Sequence, residues 1–189
     1  MSDDQNIHVL GLCGSLRKDS INMVALKAAG SLMPDGSDLH IADISDIPIY
    51  NEDDCADGFP VAVGELRDKI AAADALMIAT PEYNLSVPGV LKNAIDWVSR
   101  PPDQPFEGKP VAILGASPGR SGTMRAQHHL RQIFVFVDMK PINKPEVFIT
   151  DARTKFDEDG RVTDDETAEF LTDLTASLID WTRKLNGSA

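Results

Sequence analysis

Short apolar runs that alternate with helical repeats constrain the fold of this 189-residue chain more than any other feature. Each run is four to six residues long, which is typical of strands that a parallel sheet buries on both faces. Five runs fit this description: 7–12, 39–44, 75–79, 111–114 and 146–149.

Helical repeats of apolar residues fill the segments between these runs. The repeats begin at Val63, Val90, Ala126 and Phe170. Thr163, with Glu166 three residues later, predicts a capping box at the start of the last helix. The alternation favours a three-layer α/β/α fold in which helices cover both faces of a parallel sheet. Five parallel strands suit the flavodoxin-like order 2-1-3-4-5, in a single domain over residues 1–189.

The charge balance excludes several classes of partner. The chain has 30 acidic and 18 basic residues, for a formal net charge of −12, which repels nucleic acid and anionic membranes. Its two cysteines, Cys13 and Cys55, cannot form a disulfide framework and favour a reducing compartment. No apolar run approaches the ~20 residues that a membrane span needs, and the first residues are acidic. We therefore expect a cytoplasmic protein without a nucleic-acid or membrane partner.

A polar loop follows the first predicted strand, at the edge where a parallel sheet binds its ligand. It carries Ser15, Arg17, Ser20 and Asn22 just before a helix. Free N–H groups, the positive end of the helix dipole and a guanidinium suit a single phosphate. The loop has neither a Walker Gly-Lys-Ser/Thr sequence nor a G-x-G-x-x-G fingerprint. Alternatively, Ser20 only caps the helix and Arg17 is solvated.

Two further polar loops follow the third and fourth predicted strands. Glu82, Tyr83 and Asn84 lie in the second loop, where they suit the wall of a flat ring. Ser117 and Gly119 lie in the third loop, where small residues let backbone N–H groups approach a ligand. Taken singly, each loop also fits an ordinary turn.

Four segments of the chain resemble the NADPH-dependent FMN reductase family, particularly its chromate and quinone reductase branch. They are GSLRKDSIN at 14–22, PEYNLSVPGVLKNAIDWVSR at 81–100, GASPGRSGTMRAQHHLRQ at 115–132 and NKPEVF at 143–148. The resemblance implies flavin mononucleotide (FMN) as cofactor and NADPH or NADH as electron donor. It also implies ping-pong reduction of quinones, chromate or similar small acceptors, with the chemistry on the flavin rather than on a catalytic side chain.

The same resemblance implies the binding residues and the assembly. It assigns the FMN phosphate to Ser15, Arg17, Ser20 and Asn22. It assigns the ribityl chain and the ring to Pro81, Glu82, Tyr83, Asn84, Ser117 and Gly119. Leu85, Thr123 and His128 depart from the residues common in the family, which bears on acceptor preference and subunit contacts. A homodimer or homotetramer is implied, with Arg125 and Glu146 as candidates for an ion pair between subunits.

Other interpretations of the sequence are weaker. A flavodoxin-type electron carrier that serves protein partners shares the fold and FMN, and an acidic surface permits it. Residues 155–166 are similar to a calcium loop, but Lys155 occupies its first position, so we expect a surface turn. His128 and His129 lie on different helix faces without a third ligand, so no metal site is expected. Cys13 is expected to be a small buried residue.

Overall fold

The computed structural model describes residues 6–55 and 58–187, which form one parallel sheet and the helices around it. The strands are β1 (Ile7–Cys13), β2 (Ser37–Ala42), β3 (Ala75–Ala79), β4 (Pro110–Ala116), β5 (Lys140–Pro141) and β6 (Val147–Ile149). The α-helices are α1 (Ile21–Ser31), α2 (Val61–Ala72), α3 (Gly89–Val98), α4 (Met124–Phe136) and α5 (Asp165–Leu185). Short 3-10 helices span Glu52–Cys55 and Ala152–Thr154.

The strand order is β2-β1-β3-β4-β5, with β6 also paired to β4, and every pair is parallel. This confirms the flavodoxin-like α/β fold and the order 2-1-3-4-5, with one correction. The fifth position of the sheet is divided: β5 pairs with the start of β4, and β6 pairs with its end. Pro141 and Pro145 have no N–H to donate to the ladder, which accounts for the break between the two pieces.

Helices cover both faces of the sheet. Helices α1 and α5 pack on one face, and α2, α3 and α4 pack on the other. Every residue of the central strands β3 and β4 is therefore buried. The covered faces explain why these strands appear in the sequence as continuous apolar runs. None of the helices in the described residues is both long and apolar enough to cross a membrane.

The capping box predicted from Thr163 and Glu166 is wrong by one residue. Asp164 is the N-cap of α5, and its Oδ2 accepts a hydrogen bond from the backbone N of Thr167 at 3.0 Å. Its Oδ1 lies 2.7 Å from Nζ of Lys155. A carboxylate at this position satisfies a free N–H and also interacts favourably with the positive end of the helix dipole.

The end of β2 also differs from the prediction. The strand ends at Ala42 rather than at residue 44. Oδ1 of Asp43 accepts a hydrogen bond from the backbone N of Ser45 at 2.8 Å, and this local turn ends the strand. The turn places Asp43 and Ser45 at the carboxyl edge of the sheet, beside the first polar loop.

Candidate functional site

The three polar loops lie at the carboxyl ends of β1, β3 and β4, which are neighbours in the sheet. Gly14 opens the first loop, and its backbone N donates to the carbonyl of Ala79 at 2.8 Å. A Cβ at Gly14 would lie 3.0 Å from Pro88 and 3.2 Å from Pro81, both in the second loop. The absence of a side chain at Gly14 therefore lets the first and second loops pack directly against each other.

The first loop ends in a capped helix start with free donors. Ser20 is the N-cap of α1, and its Oγ accepts from the backbone N of Met23 at 3.3 Å. The backbone N–H groups of Ile21 and Asn22 have no hydrogen-bond partner among the described residues. The exposed guanidinium of Arg17 likewise makes no hydrogen bond or ion pair there. Two N–H groups and a guanidinium at a helix N-terminus are suited to a phosphate.

The side chain of Asn22 bonds to the end of β4. It is buried, and its amide exchanges two hydrogen bonds with the backbone of Ala116 at the end of β4. Nδ2 donates to the Ala116 carbonyl at 3.0 Å, and Oδ1 accepts from the Ala116 N–H at 2.9 Å. Asn22 therefore ties the first loop to the third, and its backbone N–H is the group left to meet a ligand.

The second loop forms a tight hairpin. Tyr83 and Ser86 exchange two backbone hydrogen bonds of 3.1 Å, and Asn84 and Leu85 at the tip have φ values of 51° and 65°. Two central residues with positive φ define a type I′ turn, which Asn adopts readily and Leu does not. The Tyr83 and Leu85 side chains are 46% and 59% exposed, so both are available to a ligand. Oγ of Ser86 lies 2.9 Å from Nδ1 of His129, which joins the hairpin to α4.

Glu82 anchors the other side of the same loop, and its side chain is only 7% exposed. Its carboxylate accepts hydrogen bonds from Nε of Arg125 at 2.8 Å and from the backbone N of Arg125 at 3.0 Å. Burial raises the pKa of Glu82, but hydrogen bonds from Arg125 and from the first turn of α4 outweigh it and hold the pKa below its usual value. Glu82 is thus an ionised helix cap.

The candidate ion pair between subunits has its partners within this chain. Arg125 is bonded to Glu82. Glu146 lies 3.3 Å from Nζ of Lys144 and 3.5 Å from Nε2 of His128. The pairing of Arg125 with Glu146 across subunits stays a prediction.

The third loop is held by its own hydroxyl. Oγ of Ser117 donates to the carbonyl of Gly119 at 2.9 Å and accepts from the backbone N of Gly122 at 3.1 Å. Gly119 has open space where a Cβ would be, whereas a Cβ at Gly115 would lie 1.8 Å from Oγ1 of Thr123. Gly115 is therefore required for packing beneath the loop, and Gly119 is open to a ligand.

A cavity of about 490 Å³ lies between the first loop and the end of β2. Of the predicted site residues it contains Ser15 and Arg17. Lys18 and Lys27 also line it, and sequence analysis missed both. Lys27 lies seven residues after the Ser20 cap on α1, but the sequence does not reveal which helix face turns towards β2.

The residues set aside from the sequence have structural roles. Phe156 and Val162 form an antiparallel bridge around residues 157–161, which confirms the expected surface turn. Cys13 is 3% exposed, as expected of a small buried residue. Burial raises the pKa of its thiol, although contacts with the Ser15 carbonyl and the Ser20 hydroxyl lower it, so the thiolate is disfavoured. Within the described residues, no group of three or more His, Cys, Asp or Glu side chains is arranged to hold a metal ion.

The fold and these loops define a flavodoxin-like α/β protein with a site suited to a nucleotide monophosphate. Residues 7–154 match the family described as NADPH-dependent FMN reductase. An NAD(P)H-dependent FMN reductase of Pseudomonas aeruginosa is 58% identical over 187 residues, which cover 99% of this chain and 100% of the relative. A quinone reductase of Escherichia coli K12 is 46% identical over 176 residues, covering 91% and 94%.

Among solved structures, the flavoenzyme NAD(P)H:(acceptor) oxidoreductase FerB of Paracoccus denitrificans matches with a TM-score of 0.88 and 40% identity. The match covers 94% of this chain and 98% of FerB. The chain belongs to the NADPH-dependent FMN reductase family. This confirms the predicted family, the cofactor FMN, the NAD(P)H donor and the assignment as an oxidoreductase.

Proposed function

We propose that this protein uses FMN and NAD(P)H to reduce quinones, and chromate or similar small acceptors, by a ping-pong reaction. The names of the similar proteins support quinones as acceptors, since one of these proteins is a quinone reductase. The structural observation that carries the proposal is the first loop. There, two backbone N–H groups and a guanidinium without partners in the described part of the chain lie at a helix N-terminus. That set of donors fits the single phosphate of FMN.

The first loop and the start of α1 would bind the phosphate. We assign it to Ser15, Arg17 and Ser20, together with the backbone N–H groups of Ile21 and Asn22. Arg17 supplies a charged, forked donor. Ser20 holds the helix start in place through its cap, and the Asn22 amide does so through Ala116.

The second and third loops would flank the ribityl chain and the ring. Pro81, Glu82, Tyr83 and Asn84 would form one wall, and Ser117 and Gly119 the other. Glu82 contributes by position, since its carboxylate already caps α4. The exposed Tyr83 ring offers a flat apolar surface, and the open backbone at Gly119 allows N–H groups to approach a polar ring edge. FMN, when bound, supplies the hydride chemistry, so no side chain is assigned as a catalytic acid or base.

Donor and acceptor would use the same opening between the second and third loops in turn, which is the basis of the ping-pong proposal. Initial rates against NAD(P)H at several fixed quinone concentrations should give parallel double-reciprocal lines. Intersecting lines would show that both reactants bind together and would disprove the shared opening.

The cofactor site itself is tested by titrating purified protein with FMN. Arg17→Ala should weaken FMN binding by ~1.5–3 kcal/mol, the usual range for a hydrogen bond to a charged group. Arg183→Ala, which removes a guanidinium near the end of α5, is the matched control and should bind FMN like the wild type. Equal affinity of the Arg17 variant and the wild type would refute the phosphate assignment.

A flavodoxin-type carrier for protein partners is the alternative, and the formal charge of −12 is the observation that favours it. A carrier needs a separate reductase, whereas the proposed enzyme loses its flavin absorbance when NADH or NADPH alone is added. Stopped-flow absorbance separates the two.

The chain would act as a single cytoplasmic domain in a homodimer or homotetramer. The end of α4 supports the assembly, because Val135 and Phe136 are adjacent and 82% and 81% exposed. Exposed large apolar side chains that lie together are typical of protein interfaces. Light scattering that reports a monomer at micromolar concentrations would refute the assembly.

A further inference from the structure

The cavity between the first loop and β2 has an unusual charge for this protein. Arg17, Lys18 and Lys27 line it, and Asp43 is the acidic residue among its lining side chains. None of the three cations has an ion-pair partner within the described parts of the chain. A chain with a formal charge of −12 thus concentrates positive charge at one concave place, which favours an anionic ligand.

Asp43 offsets only one of these three positive charges. Its Oδ1 is bonded to the backbone N of Ser45 at 2.8 Å, and this hydrogen bond is the main cause that lowers the pKa of Asp43. The carboxylate is therefore used in the turn that ends β2. Three cations against one such carboxylate leave a net positive lining.

The FMN phosphate accounts for only part of the cations. A phosphate monoester carries about −1.5 to −2 charges and is matched by Arg17 with the free N–H groups of α1. Lys18 and Lys27 remain, and both line the cavity together with the end of β2 and the turn after it. Two ammonium groups beyond the first phosphate indicate a second anionic group in the same cleft.

The cavity also has the size and place for part of a dinucleotide. Its volume of about 490 Å³ lies within the usual range of small-molecule sites. It lies at the end of β2, while the loops proposed to hold the ring follow β3 and β4. The distance from β2 to β4 is three strand spacings, or roughly 14 Å, which an extended dinucleotide can bridge.

We propose that Lys18 and Lys27 bind the 2′-phosphate of NADPH in this cavity and make the protein prefer NADPH to NADH. The inference rests on the proposed function, because it assumes that the nicotinamide end reaches the ring site. Lysine ammonium groups bind phosphates as point charges, so the two act together without a fixed fork geometry. The 2′-phosphate is the group that distinguishes the two donors.

The test compares Lys18→Gln, Lys27→Gln and the double variant with the wild type, all loaded with FMN. Each single variant should raise the KM for NADPH by about tenfold, the factor expected from one lost charge-assisted hydrogen bond, and leave the KM for NADH unchanged. The affinity for FMN should not change in either variant. Lys184→Gln, which removes an exposed charge from α5, is the matched control and should change neither KM.

A binding measurement keeps the proposal separate from turnover. Calorimetry should show that adenosine 2′,5′-bisphosphate binds the wild type more tightly than adenosine 5′-monophosphate, and that the double variant loses this difference. An equal rise in the KM values for NADPH and NADH in the lysine variants would indicate general attraction of anions. A weaker affinity of these variants for FMN would assign the cavity to the FMN phosphate. Either result overturns the proposal. If neither donor reduces the wild type, the proposed function fails, and the two adenosine phosphates still decide whether the cavity recognises a 2′-phosphate.

Discussion

Glu82 and Arg125 form a contact that both pairs charges and caps a helix, because the carboxylate meets the guanidinium and the backbone N–H of the same residue. The contact holds the second loop, which we propose to flank the ring, against the start of α4. The position of the second loop therefore depends in part on a residue 43 positions away in the chain.

Removing the Glu82 charge should make stability less dependent on pH. Glu82→Gln should lower the free energy of unfolding by about 1–2 kcal/mol at neutral pH, since a partly exposed charge-assisted contact is lost. The folded pKa lies below the ordinary value of 4.5, so this stability is present above that value and is lost as pH falls through the folded pKa. Urea unfolding of both proteins between neutral and acidic pH measures the difference. A gap that stays constant across that range would contradict the ionised cap.

Asn22→Ala should destabilise the fold by about 2–4 kcal/mol, because it leaves both backbone groups of Ala116 buried without partners. Asn93 is a matched control: its amide also bonds two backbone groups, those of Tyr50 and Pro48, but at a less buried place. Asn93→Ala should therefore destabilise the fold by less than Asn22→Ala. Denaturant midpoints compare the two variants, and equal losses would argue against the buried Asn22 bridge as a main link between the first and third loops.

Leu85→Asn should stabilise the folded state by about 0.5–1 kcal/mol, since Asn tolerates the left-handed conformation better than Leu. The Leu85 side chain is 59% exposed, so little apolar contact is lost. Leu85→Ala removes the same side chain without relieving the backbone and should bring no gain. Thermal unfolding of the three proteins checks this order. A gain in stability in the alanine variant would mean that the exposed Leu85 side chain, and not its backbone conformation, destabilises the folded state.

Asp164→Ala should lower the melting temperature, whereas Thr163→Ala should leave it nearly unchanged, because Asp164 supplies the cap of α5. Hydrogen bonds from Lys155 and Thr167 lower the pKa of Asp164 to about 2, from an ordinary value of 3.8. The stability that it contributes is therefore present above pH 3.8 and is lost as pH falls through about 2. Melting curves in acid should show the wild type approaching the alanine variant in that window. A larger drop in melting temperature for Thr163→Ala than for Asp164→Ala would support the capping box and contradict Asp164 as the cap.

The local pattern of the sequence was enough to predict the layers, the strand order and the edge of the sheet that carries the three loops. Burial on both faces leaves continuous apolar runs in parallel strands, and helical repeats recur between them, so both signals lie within a few neighbouring residues. The resemblance carried by four segments added the cofactor and the donor. These features depend on short stretches of chain, and the division of the fifth strand into β5 and β6 does not change them.

Tertiary structure alone decided what individual side chains do. Asn22 turns to Ala116, 94 residues away, and Glu82 turns to Arg125, so two predicted ligand residues also hold the site together. Lys27 faces the end of β2 because α1 packs back across the sheet. Such contacts depend on the register of strands and the rotation of helices, which hydrophobic periodicity leaves open, because the same apolar face can be buried with different polar neighbours at its margin.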